Sequence, residues 1–211
     1  MLTSPRVLVT GFSVFPGAPV NPTEALMARW QSQPPVIEGM GAFRADTLAV
    51  EYAGLGDRLS GIGRGFAPDI AVHFGLAHAA RGFRLERIAR NSLANAKPDN
   101  AGCLPQNCAI CPGPETFPST LPLDAIAGTL EAAKLPVEWS DDAGGYLCNM
   151  VFTLSAARAC DGFEPVMTGF VHVPALAGTE QAGNAALTLD QLDRGGRLIL
   201  KACVAAFCSD G

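Results

Sequence analysis

The sequence predicts an α/β protein: a three-layer α/β/α sandwich around a mainly parallel, twisted sheet, formed as one catalytic domain over residues 1–211. Two observations predict it. Short apolar runs alternate along the chain with stretches of helical periodicity, the pattern of strand–helix–strand units. The 211 residues, 48% hydrophobic, suffice for one domain with a sizeable core.

The elements follow in chain order. Arg6-Val-Leu-Val-Thr-Gly11 reads as a buried strand closed by a turn glycine. Asn21-Pro22-Thr23-Glu24 starts a helix over about 22–32: Asn21 is a good N-cap, Pro22 suits the first helical position, and Glu24 has capping-box spacing. A second strand is expected over 43–50 and a glycine-weakened helix through Leu55, Leu59 and Ile62. Ile70-Ala-Val-His-Phe74 is a third strand. The stretch 95–122 has no clear period, holds six of the 16 prolines and three cysteines, and reads as a long functional loop. An amphipathic helix over 123–134 presents Leu123, Ile126, Ala127 and Leu130 on one face. A short strand at 137–140 precedes the break at Gly144-Gly145 and a helix at about 146–159. Gly169-Phe-Val-His-Val-Pro174 is a strand stopped by proline. Thr188 and Gln191 cap a last helix reaching about Cys208, interrupted at Gly195-Gly196. In such sheets, sites form at the carboxyl ends of the strands.

Composition excludes several classes. The formal charge of −5 opposes sequence-independent binding to nucleic acid, which needs a basic field. No apolar run approaches the ~20 residues of a membrane span. The opening Met1-Leu2-Thr3-Ser4-Pro5-Arg6 has no long apolar core, against a secretory signal. Charged residues are only 17%, below the usual ~25%, which fits a surface partly covered in an oligomer. Seven cysteines are an odd number in a chain too long to need stapling, so reduced thiols in the cytoplasm are expected. Cys160, Cys203 and Cys208 lie in apolar helical stretches and read as core. A nucleotide-binding reading of the first strand fails, because the glycine after Gly11 is Gly17 and no phosphate-loop lysine follows.

Histidine is the scarcest chemical resource. His172 ends a strand, where sites form; His73 reads as a packed, hydrogen-bonded structural residue, and His78 as a solvated loop residue. Cys148 follows Asp142-Ala-Gly-Gly-Tyr-Leu and begins a helix. A helix N-terminus or a neighbouring imidazolium would lower its pKa and free a thiolate, and the glycines would let amides approach a developing oxyanion. The other reading is a buried helical cysteine beside Met150 and Val151.

Several ordered blocks go further. Val7-Leu-Val-Thr-Gly-Phe-Ser-Val-Phe15, Pro19-Val-Asn-Pro22, Gly75-Leu-Ala77, Glu86-Arg-Ile-Ala89 with Asn91, Pro98-Asp-Asn-Ala-Gly102, Ser119-Thr-Leu-Pro122, Asp142-Ala-Gly-Gly-Tyr-Leu-Cys-Asn149 and Gly169-Phe-Val-His-Val-Pro174 resemble the pyroglutamyl peptidase I family of cysteine peptidases. The resemblance covers most of the chain. It implies hydrolysis of the amide bond after an N-terminal 5-oxoproline through a thioester acyl-enzyme, with no cofactor and no metal. It implies Cys148 as nucleophile, His172 as base and Glu86 as the residue holding the imidazole; Glu86 beside Arg87 would otherwise read as a solvated surface charge. It implies Phe12 and Phe15 gripping the lactam, beside Tyr146 and Leu147 at the positions before the nucleophile. The family fold agrees with the sandwich, and its members commonly form homotetramers. The expected partner is a small peptide with an N-terminal pyroglutamate.

The departures are specific. Pro16-Gly17 stands for the family's Gly-Gly, Tyr146-Leu147 for Phe-Val, and Ala80 and Ala96 for arginines, with Arg81 beside the first. The lost arginines make a weakened homologue that only binds a lactam or peptide N-terminus the alternative reading. Cys103, Cys108 and Cys111 match no family block; three thiols are one short of a zinc set, and solvated or partly packed thiols are expected.

Overall fold

The computed structural model describes residues 4–209; residues 1–3, where the segment read as lacking a secretory core begins, lie outside the described residues. Four strands of the main sheet pair in parallel: β1 (Arg6–Phe12), β2 (Ala42–Leu48), β3 (Ile70–Leu76) and β8 (Met167–Val173). β4 (Phe83–Glu86) runs antiparallel to β8 and parallel to β7 (Val137–Ser140), giving the order β2-β1-β3-β8-β4-β7. A separate two-stranded sheet pairs β5 (Ile88–Arg90) with β6 (Thr116–Pro118).

Helices cover both faces. α1 (Pro22–Ser32), α3 (Leu123–Ala132) and α5 (Leu189–Ser209) bury Leu26, Trp30, Ile126, Leu130 and Ile199 with Val7, Val9 and Val72 of the sheet. α2 (Leu55–Phe66) and α4 (Leu147–Ala156) bury Leu59, Ile62, Val151 and Phe152 with Leu8, Phe12 and Phe170. Successive strand residues therefore serve opposite cores, as the two-residue strand period demands. Each large side chain fully withdrawn from water contributes about 1.5–3 kcal/mol. The three-layer α/β/α sandwich expected from the sequence is the fold observed.

Local chemistry explains the helix ends. Asn21 Oδ1 accepts from the Thr23 amide at 3.0 Å, with Pro22 opening α1. Thr188 and Gln191 form a reciprocal box, the Thr188 amide donating to Gln191 Oε1 and the Gln191 amide to Thr188 Oγ1.

Four expectations need correction. The interruption of the last helix does not occur: α5 runs unbroken from Leu189 to Ser209. A Cβ on Gly195 would lie 2.1 Å from Phe83 Cζ, and one on Gly196 2.6 Å from Trp30 Cη2. These glycines let the helix approach two buried rings rather than break it. Cys160 and Cys203 are buried, but Cys208 is only half-buried at the rim of the first core. The reading of 95–122 as loop misses β6 inside it. Finally, the sequence reading has no strand at Phe83–Glu86, although the alternation of Phe83 and Leu85 with Arg84 was a signal for one.

Candidate active site

The site lies at the carboxyl ends of β1, β3 and β8. Gly75 on β3 sits in register with His172 on β8, so the two residues present the same sheet face about one strand spacing, ~4.8 Å, apart. The first turn of α4 lies over this row. A Cβ on Gly75 would fall 2.8 Å from Cys148 Sγ and 2.6 Å from Phe170 Cζ. On the other side of β8, Glu86 closes β4, and its Oε1 lies 2.7 Å from His172 Nδ1. The strand order β3-β8-β4 thus puts the sulfur, over β3, and the carboxylate, on β4, on either side of the strand that carries His172.

The electrostatics of this row are those of an enclosed pair. Glu86 has no exposed surface, and its Oε2 has no partner among the described residues. Its charge is therefore answered by the His172 N–H alone. Because a carboxylate only accepts, that hydrogen bond calls for the proton on Nδ1, and the neutral ring then presents Nε2 as an acceptor. Phe170 packs on the ring at 4.7 Å between centroids.

The thiol behaves differently from the sequence expectation. Burial, then the nearby Glu86 charge, pushes Cys148 up to about 12, against the lowering effect of its own backbone amide. The helix N-terminus does not prevail. The residue keeps some open surface, yet that surface faces a narrow pocket rather than bulk water, so desolvation dominates. The surroundings of the sulfur therefore favour the thiol over the thiolate.

The pocket beside the sulfur is a narrow cleft of about 40 Å³, well below the ~300–1,000 Å³ of preformed ligand sites. All four residues named from the sequence beside Cys148 line it: Phe12, Phe15, Tyr146 and Leu147. Tyr146 stacks obliquely on Phe15 at 6.3 Å and edge-on to Tyr52 at 5.7 Å. Its hydroxyl donates to the Pro98 carbonyl at 3.0 Å, a bond phenylalanine could not make. Asn21, Val50 and Leu76 complete the wall; the sequence marked Asn21 as a helix cap and as part of the Pro19-Val-Asn-Pro22 block, not as a pocket residue. Asn149, next to the nucleophile candidate, binds the Arg90 amide and the Arg90 and Ser92 carbonyls, fastening α4 to the end of β5. Its place in the quoted block was the only sequence signal of this.

The cysteine-bearing loop is organised by other residues. Asn91 Oδ1 accepts from the Ile110 and Cys111 amides, and its Nδ2 donates to the Cys111 and Pro114 carbonyls. Asp99 accepts from the Tyr52, Ala101 and Cys103 amides. Against the opposing effect of burial, those amide bonds hold its carboxyl below the usual range. Cys103 and Cys108 are exposed and Cys111 half-buried. Among the described residues no three His, Cys, Asp or Glu side chains gather as a metal set.

Comparison with known proteins accounts for this arrangement. The family signature of pyroglutamyl peptidase matches residues 5–195. The chain belongs to the pyroglutamyl peptidase family. It is 36% identical over 170 residues to the pyrrolidone-carboxylate peptidase of Pyrococcus furiosus, covering 80% of each chain. It is 34% identical over 206 residues to that of Cupriavidus pinatubonensis, covering 94% of this chain and 93% of the relative. The crystal structure of pyrrolidone carboxyl peptidase from Thermus thermophilus superposes with a TM-score of 0.81 at 32% identity, over 93% of this chain and 99% of that one. A mutant pyrrolidone carboxyl peptidase from the hyperthermophile Pyrococcus furiosus gives 0.85 at 30% identity, over 95% and 99%.

The two alanines read from the sequence as departures have definite places. Ala80 is buried in the turn after β3. Ala96 packs against the second core, as Tyr146 and Cys148 do.

Proposed function

We propose that Cys148, His172 and Glu86 carry out the family's reaction in this chain, hydrolysis of the amide bond that follows an N-terminal pyroglutamyl residue. The observation that carries the assignment is the buried Glu86–His172 hydrogen bond, with Cys148 Sγ packed over Gly75, the residue in register with His172 on the neighbouring strand. A chain that only bound its ligand would have no use for a fully buried carboxylate behind a histidine, since such a charge is costly to bury.

The reaction follows from the geometry. The lactam enters the pocket lined by Phe12, Phe15 and Tyr146, with Leu147 beneath. His172 Nε2 takes the Cys148 proton as the sulfur attacks the pyroglutamyl carbonyl carbon. Glu86 steadies the imidazolium that results. The amides of Leu147, Cys148 and Asn149 open α4, where helical amides lack partners, and are the donors nearest the oxyanion; one such donor is worth about 10²–10³ in rate. The carbon–nitrogen bond breaks as Nε2 returns its proton to the leaving amine, leaving a thioester. Water then gives a proton to Nε2 and attacks the thioester carbon; the carbon–sulfur bond breaks, 5-oxoproline leaves, and Nε2 returns the proton to the sulfur. Acid–base assistance of this kind supplies about 10²–10⁴.

The finer setting belongs to the same reading. The seven thiols are free, which supports a reducing, cytoplasmic compartment. Val36, Val166 and Trp139 are exposed apolar side chains, which supports a homo-oligomer, a tetramer in our reading. Among the described residues no helix is long and apolar enough to cross a membrane.

The test is release of a chromogenic amine from its pyroglutamyl amide. Wild type should turn over and Cys148→Ala should not; equal rates would overturn the assignment.

A further inference from the structure

Beyond the lactam pocket, a second cavity of about 540 Å³ opens over the tips of β3 and β8. Its walls include His78 and Arg81 from the turn after β3, Pro174 just past β8, and Asn184. The two cavities are neighbours along the same strands. Leu76 lines the first and His78 the second, while Pro174 stands two residues beyond His172. The Ala77 amide donates to the Val173 carbonyl at 3.0 Å, holding the two strand ends together.

A strap encloses this space. Residues 175–187 leave β8 and return, closed at the base by the Ala177 amide on the Leu187 carbonyl and the Leu187 amide on the Ala175 carbonyl. At its far end Gln181 Nε2 donates to the Gly17 carbonyl at 2.6 Å. Gly17 belongs to the turn in which Phe15 pairs with Ala18. The strap therefore reaches from the second cavity to the wall of the lactam pocket.

The charge in the second cavity is one-sided. Arg81 is exposed, and among the described residues its guanidinium makes no ion pair. The nearest acid, Glu138, accepts from the Arg81 amide but is already paired with Arg84 at 2.7 Å. Among the described residues no aspartate or glutamate lines the cavity.

We propose that this cavity is the subsite for the leaving peptide and that Arg81 there favours a carboxylate close beyond the scissile bond. The inference rests on the reading of Cys148 and His172 given above. With the lactam held beside the sulfur, the amine that departs receives its proton from His172, so the rest of the substrate extends past β8. A carboxylate reaches that position either as the C-terminus of a pyroglutamyl dipeptide or as an acidic side chain. An exposed ion pair is modest and screened by salt, so the preference is small and salt-sensitive.

The experiment compares kcat/KM for pyroglutamyl-alanine with pyroglutamyl-alanine amide, and for pyroglutamyl-glutamate amide with pyroglutamyl-glutamine amide. The first pair reads the terminal carboxylate and the second the side chain. In at least one pair, wild type should favour the charged member by about two- to fivefold at low salt, falling toward parity at ~0.5 M salt. Arg81→Gln should bring the ratio to about one and Arg81→Lys should keep it. Parity in wild type for both pairs, or a ratio unmoved by Arg81→Gln, overturns the subsite. The wild-type ratio and its salt dependence decide the matter even should the glutamine variant not fold. Failure of wild type to cleave any of the four overturns the reading of the catalytic row, and the subsite with it.

Discussion

Gly75 and Cys148 touch: the sulfur occupies space that any side chain on β3 at that position would need. The nucleophile candidate is thereby seated directly on the sheet, one strand from the imidazole. Gly75→Ala must displace both Cys148 Sγ and the Phe170 ring, each closer than 3.0 Å to the added carbon. Misplacing a reacting atom by about 1 Å costs on the order of 10²-fold. We expect kcat to fall by that order while KM changes little, because the lactam pocket lies beside the row. Steady-state kinetics on a pyroglutamyl amide check this; wild-type kcat in a folded variant would contradict it.

Cys148→Ser should lose activity by about 10⁴–10⁶-fold, the scale on which removal of a hydrolase nucleophile registers. The raised thiol makes a second, independent statement. A group whose pKa is pushed up to about 12 is protonated at neutrality, and its thiolate fraction grows as pH rises. Inactivation of wild type by iodoacetamide should therefore accelerate steadily from about pH 6 to 10. A plateau already reached by about pH 7 would show a thiolate formed in advance.

Glu86→Gln preserves an oxygen acceptor for His172 Nδ1 and removes the negative charge. Turnover should drop by about 10²–10⁴-fold, with KM nearly unchanged since the carboxylate is away from the lactam pocket. Circular dichroism should show an intact fold. A kcat within about twofold of wild type would reduce the triad to Cys148 and His172.

His73 offers a test of stability rather than catalysis. It is fully buried, bonded through Nδ1 to Thr10 Oγ1 at 2.7 Å, with Nε2 unpartnered among the described residues. Burial lowers its pKa to about 3, well below the ~6.5 of an unfolded chain. Between those values the unfolded state binds a proton that the native state does not. Stability is thus complete above about pH 6.5 and is lost as pH falls toward 3, by up to ~1.4 kcal/mol per pH unit. Urea denaturation at about pH 7.5 and about pH 5 should show a shallower loss for His73→Gln than for wild type. Equal losses would mean that His73 is not the group responsible.

The structural role of His73 was legible in the sequence, because a histidine between Val72 and Phe74 points to the opposite face of a strand that is apolar on both sides. Thr10 could not be named as its partner, since the bond depends on the register of β1 against β3, which pairs Thr10 with His73. Glu86 shows the same limit more sharply. Read locally, it is a charge beside Arg87, and only family resemblance singled it out. Its complete burial follows from β4 joining the sheet between β8 and β7.

What the sequence determined by itself was local: alternating strand and helix patterns, helix caps at Asn21 and Thr188, and ordered blocks holding Cys148 and His172. These are written in periodicity and side-chain type within a few residues of one another. What only the tertiary structure decided was everything that depends on approach between distant segments. The unbroken α5 at Gly195-Gly196 depends on where Phe83 and Trp30 lie, and the raised Cys148 thiol on what surrounds the sulfur. A propensity counts a glycine as a break and a helix N-terminus as an acidifier. Packing and desolvation, which act across the whole fold, reverse both.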